Sequence, residues 1–171
     1  METWDALRSR RNVRSYLDKP IDPAELDRIL DAGRRAPSAF NSQPWDFIVA
    51  TGAAQLADLA TVWRGASHVA RSAATIAVAT PVQPDADRSA WAQFDLGQAV
   101  MAMAITAADL GIGSAHAIIE DQERFRSLFG VPDTHRGAYL LALGHPADGP
   151  LRPLDRLDRR SLDDVVHRSR W

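Results

Sequence analysis

Ala36-Pro37-Ser38-Ala39-Phe40-Asn41-Ser42-Gln43-Pro44-Trp45 leads through Asp46 into the apolar run Phe47-Ile48-Val49-Ala50. Pro37 stops any helix before it, and Pro44 fixes the backbone at the exit. Between them Ser38, Asn41 and Gln43 offer neutral donors and acceptors, and Phe40 and Trp45 offer flat apolar area. Such a loop suits a planar heterocycle with a polar edge. A helix stop followed by a turn explains the same residues, so the loop by itself leaves both open. Residues 47–50 are rich in β-formers and are followed by Thr51-Gly52, which reads as a buried strand.

Working upstream, Asp22-Pro23-Ala24-Glu25 is a helix start, with Asp22 as N-cap, Pro23 at N1 and Glu25 at capping-box spacing. Leu26, Ile29 and Leu30 line one face. A shorter helix is expected over residues 4–10, capped by Thr3. Downstream, the pattern predicts a helix over 53–63, a strand over 75–80 and a long helix over 89–110. Trp91, Phe94, Val100, Met101, Met103, Ala104, Ala107 and Leu110 cover more than one face of that last helix. It should therefore be buried on most sides, as a central helix or a dimer core. Gly111 takes the C′ role. A strand over 114–119, a helix over 121–129 closed by Gly130, a strand over 138–144 and a helical turn or two within 161–168 complete the order. One sheet with helices around it is an α+β or mixed α/β arrangement.

Composition excludes much. With 171 residues, 46% apolar and 25% charged, the chain suits one globular domain, residues 1–171, and not a disordered one. The absence of cysteine rules out a disulfide scaffold, thiolate metal sites and a cysteine nucleophile. A net charge of −2 gives no field for nucleic acid or acidic membranes. The N-terminus lacks an apolar export segment, and the apolar stretch 96–110 is too short and polar to span a bilayer, so the expected location is cytoplasmic.

Every basic residue except Lys19 is Arg. Arg8, Arg10, Arg11 and Arg14 crowd together, and if the chain extends after Arg10, then Arg10, Asn12 and Arg14 alternate onto one side. That would clamp a phosphate, although a solvated basic turn fits the spacing equally. A second cluster, Arg156-Leu157-Asp158-Arg159-Arg160, could close such a clamp. His68, His116, His135, His145 and His167 are scattered without metal-ligand spacing. No G-x-S-x-G elbow and no Walker A run is present, and Gly111-Ile112-Gly113 follows a helix rather than a strand, which argues against a Rossmann site.

Taken in order, four stretches resemble the nitroreductase family of FMN-dependent oxidoreductases. They are Arg10 to Tyr16, the Ala36-to-Trp45 loop with its strand, Asp95 to Ser114, and Ala142 to Pro146 followed by Arg159-Arg160. The resemblance implies a central, mainly antiparallel sheet flanked by helices, and an intertwined homodimer with FMN at its interface. It implies that Arg10, Arg11, Asn12 and Arg14 hold the FMN phosphate and ribityl chain, with Arg159 or Arg160 reaching the phosphate from the tail. Pro37, Ser38, Asn41 and Gln43 would approach the flavin from the other subunit, and the stretch Gly113 to Ala117, Gly113 and Ser114 first, would lie near the ring edge. Asn12 stands where the family usually has Ser, and the chain is short for the family. NADH or NADPH would supply hydride, and a nitroaromatic, quinone or activated alkene would accept it. The alternatives are a flavin-binding or storage protein, and a specialised enzyme that fragments flavin or oxidises a biosynthetic intermediate. The absence of an obligatory side-chain nucleophile fits a flavin that carries the hydride chemistry.

Overall fold

The computed structural model covers residues 1–171 and describes all of them except 156 and 157. Arg156 and Leu157 of the second basic cluster thus lie outside the described residues. Among the described residues, four strands form one antiparallel sheet: β1 (Asp46–Ala50), β2 (Ala74–Pro81), β3 (Gly113–Ile118) and β4 (His135–Gly144). They lie side by side in the order β1-β2-β4-β3. The helices are α1 (Thr3–Ser9), α2 (Pro23–Arg34), α3 (Ala53–Leu59), α4 (Ala86–Asp109), α5 (Gln122–Phe129) and α6 (Leu162–Val165).

Strand alternation divides the core in two. Ile76 and Val78 of β2 and Leu141 and Leu143 of β4 face Ile29 of α2 and Leu96, Ala99 and Met103 of α4. Ala77, Leu140 and Ala142 face the other way, onto Leu56 and Leu59 of α3 and Phe125 of α5. β2 is buried from Ala74 to Thr80 because both its faces are covered, and its two threonines, Thr75 and Thr80, are buried with it. β1 is an edge strand in which only Ala50 is fully buried, which corrects the expectation of a buried strand.

Three local expectations also change. Glu2, not Thr3, is the N-cap of α1, and it makes no side-chain cap bond. The Asp22 carboxylate accepts the Ala24 N–H at 2.8 Å, one residue short of the capping-box bond. α3 ends at Leu59 rather than running to Trp63, because Thr61 turns its N–H and hydroxyl back onto the Asp58 carbonyl. α4 departs most from its sequence reading. One face is buried, but Trp91, Phe94 and Met101 stand exposed in the single chain.

The segment after α1 lies across the sheet's end, and two glycines let it approach. A Cβ at Gly113 would sit 2.7 Å from the Val13 Cβ, and one at Gly144 would sit 2.6 Å from the Tyr16 ring. Tyr16 cannot swing clear, since its hydroxyl donates to the Val13 carbonyl at 2.6 Å. Gly144→Ala is expected to destabilise the protein by about 1–3 kcal/mol through overpacking. Urea unfolding measures it, and an unchanged midpoint would show that the segment does not pack this closely.

Candidate functional site

The basic N-terminal segment is held in register with the sheet. Asn12 forms a parallel bridge with Ser114, and the Val13 N–H donates to the Ser114 carbonyl at 2.9 Å. Further along, the Leu17 N–H donates to the His145 carbonyl and the Ala147 N–H to the Ser15 carbonyl. The chain is extended here, so Arg10 and Asn12 reach one side together and wall a hollow of about 200 Å³ with Ser114, His116 and Tyr139. Arg14 is not in that wall, and its charge acts on Tyr16 and His68. The Arg11 guanidinium donates to the carbonyls of Ser9 and Arg152. Arg10 and Arg14 have no carboxylate partner among the described residues.

The opposite wall of the hollow is α4, through Gly97, Val100, Met101 and Ala104. Gly97 has nothing within 4 Å of where a Cβ would point, so open space stands over mid-helix backbone. Gly97 and Met101 are shared with a second hollow of about 720 Å³ that reaches Pro37. Pro37 and Phe94 are shared with a third, which reaches Phe40 and Trp91. A groove therefore follows the uncovered face of α4, from Arg10 at one end to the Ala36–Trp45 loop at the other.

That loop is held in a strained shape. Phe40, Asn41 and Gln43 have φ values of 54°, 55° and 48°, a region that costs an L-residue about 1–3 kcal/mol when other contacts enforce it. Two contacts do so. The Asp95 carboxylate, 3% exposed, accepts the Ala39 N–H at 3.0 Å, and the Ser38 hydroxyl accepts the Gln43 N–H at 2.9 Å. The loop does not line the hollow beside Arg10 of its own chain.

Comparison with known proteins decides the family. The nitroreductase family profile matches residues 7–66 and 59–145. The chain belongs to the nitroreductase family. A relative from Archaeoglobus fulgidus named as an NADH dehydrogenase/NAD(P)H nitroreductase is 30% identical over 175 residues, 99% of each chain. An oxygen-insensitive NADPH nitroreductase from Salmonella typhimurium is 29% identical over 99% of this chain and 74% of its own. The solved structure of an FMN-dependent nitroreductase from Clostridium difficile superposes with a TM-score of 0.84 at 23% identity, covering 97% of this chain and 98% of that one. The fold is thus the nitroreductase fold, α+β as expected.

Within this nitroreductase fold the expected site residues separate into groups. Arg10, Asn12 and Ser114 converge on the hollow. Pro37, Ser38, Asn41 and Gln43 stay together on the loop. Gly113 has a packing role, since Val13 occupies its Cβ direction. Arg159 donates to the Asp158 carbonyl at 2.5 Å and Arg160 donates to the Asp164 carbonyl, so neither joins Arg10 in these contacts. The tail does meet α1: Leu154 N–H donates to the Arg8 carbonyl, and Arg8 pairs with Asp155 at 2.9 Å. Sequence reasoning included His116 in the stretch near the ring edge but missed Tyr139, which strand alternation could have placed, and Asp95, whose signal was a carboxylate in the apolar middle of α4.

His68 lies behind this region, buried, and its Nε2 lacks a partner. Burial first, and then the Arg14 charge, lower its pKa below the ordinary imidazole value, with His116 adding a smaller push. The folded protein keeps His68 neutral where the unfolded chain would protonate it. Its contribution is complete above the unfolded pKa of about 6.5 and is lost as pH falls below that. The thermal midpoint should drop between pH 7 and pH 5.5, and His68→Gln should flatten that drop. An equal slope in the variant would assign the loss to other groups.

Proposed function

We propose that the protein is a homodimeric FMN-dependent oxidoreductase that takes a hydride from NADH or NADPH and delivers reducing equivalents to a small acceptor: a nitroaromatic, a quinone or an activated alkene. The observation that carries this reading is Arg10, a guanidinium without a carboxylate partner among the described residues, on the wall of a hollow that also takes Asn12, Ser114 and a bare glycine, Gly97. An FMN phosphate brings about two negative charges by analogy with phosphate esters, and charge-assisted Arg contacts match it. The fit is supported by Gly97, which leaves backbone uncovered where a flat ring could approach.

When bound, the flavin supplies the hydride chemistry. The chain's own tasks are to hold and to enclose. Arg10 and Arg14 neutralise the phosphate, and Asn12 and Ser114 offer donors and acceptors to the sugar-like chain. Arg11, already tied to the Ser9 and Arg152 carbonyls, steadies the tail beneath them. A second copy covers the uncovered face of α4, where Phe94 is 70% exposed. It brings Pro37, Ser38, Asn41 and Gln43 of its loop to the ring, while the C-terminal tail supplies Arg159 or Arg160 to the phosphate. The apolar groove excludes water from the reacting edge. No helix among the described residues is long and apolar enough to cross a membrane, and no group of side chains there could hold a metal. We propose the cytoplasm as the place of work, in keeping with a chain that has no cysteine.

Purified protein should be yellow, or become so with FMN, and should bleach when mixed anaerobically with NADH or NADPH. Protein that stays colourless after FMN addition would overturn the reading. Arg10→Ala and Arg14→Ala should each weaken FMN binding by about 1.5–3 kcal/mol, the worth of a charged hydrogen bond. Flavin fluorescence titration reads this directly, and an unchanged Kd removes that residue from the clamp.

A further inference from the structure

The far end of the α4 groove is a site of a different kind. Phe40 is 87% exposed, yet its backbone is held at φ 54°, where a bulky residue is a genuine outlier. The enforcing contact is a buried carboxylate, Asp95. An exposed aromatic ring on a strained, anchored backbone is a reason to look for function. The Phe40 ring stands 6.3 Å from Trp91, at an interplanar angle of 50°. The Arg88 guanidinium lies 5.3 Å from the centre of the Trp91 ring. These three side chains, with Gln43 and Gln83, border a cavity of about 440 Å³.

The charges around that cavity leave one cation to spare. Asp85 is committed to the Arg88 main-chain N–H at 2.7 Å, and Asp95 to that of Ala39 at 3.0 Å. Among the described residues no carboxylate pairs with the Arg88 guanidinium. A planar guanidinium beside aromatic rings matches a flat guest carrying a carboxylate, because the rings take the apolar face and the Arg takes both oxygens.

We propose that Phe40, Trp91 and Arg88 form a binding site for an aromatic ring bearing an anionic substituent, and that they set a preference for acidic aromatic acceptors. The preference rests on the oxidoreductase reading; the binding site itself does not.

The test is isothermal titration calorimetry with benzoate and with its neutral counterpart benzamide, neither of which the enzyme can reduce by the proposed route. Benzoate should bind the wild-type protein at least tenfold more tightly than benzamide. Arg88→Gln should abolish that difference, and Phe40→Ala should weaken both ligands while leaving the dimer intact by size-exclusion chromatography. Equal binding of the two ligands, no binding of either, or a preference that survives Arg88→Gln would overturn the proposal. So would dissociation of the dimer by Phe40→Ala, because Phe40 would then be an interface residue. The flavin content of the same samples separates the two readings. Benzoate binding without any flavin uptake would sink the oxidoreductase reading alone, and flavin without benzoate binding would sink this site alone.

Discussion

Helix α4 has two surfaces to satisfy, and the rest of the molecule is arranged around that demand. Leu96, Ala99, Met103 and Ala107 are buried against α2 and the sheet, so this face is fixed by the core. The turn between them leaves Trp91, Phe94, Gly97 and Met101 facing outward. Burying an apolar side chain is worth about 1.5–3 kcal/mol, so Phe94 and Met101 left in water are an unused driving force. In the proposed dimer a second copy uses it, and the groove along this face is bordered by polar side chains at both ends.

The two ends of the groove are built by opposite means. At one end an extended segment is tied to β3 by the Val13–Ser114 bond and the bare Gly113, and this aligns Arg10 with Asn12. At the other end the backbone is bent into the left-handed region and kept there by Asp95 and Ser38. The first end needs regular strand geometry and the second tolerates strain. The loop does not wall the hollow beside Arg10 of its own chain, and the proposed flavin site therefore takes its loop from a second chain.

Much of this was legible in the sequence, and the exceptions have physical causes. The strands at 75–80 and 138–144 were readable because a doubly covered strand carries a nearly continuous run of apolar residues, broken only by Thr75, Thr80 and Tyr139. The helix start at Asp22-Pro23 was readable because a proline at N1 has few other homes. β1 was misread as buried because short apolar runs look alike at the centre and the edge of a sheet. The burial of α4 was overstated because side-chain pattern does not say whether an apolar face is covered by its own chain, and Trp91, Phe94 and Met101 are not. Alternation placed Arg10, Asn12 and Arg14 on one side, and of these Arg10 and Asn12 share the wall of the hollow while Arg14 does not. The diversion of Arg11 to backbone carbonyls, and the hold of Asp95 on Ala39 from 56 residues away, depend on tertiary approach that spacing does not encode.

The central claim is that each flavin site takes its clamp from one chain and its loop from the other. Subunit complementation measures this most directly. One variant carries Arg10→Ala with Arg14→Ala, and the other carries Ser38→Ala with Asn41→Ala. They are mixed, dissociated and reassembled, and FMN uptake is read in the visible spectrum. Neither variant alone should bind FMN at the concentration used, while random reassembly should restore about a quarter of the sites, since half the dimers are mixed and each mixed dimer has one intact site. No gain on mixing would contradict the account, for it would mean that clamp and loop must reside in the same chain.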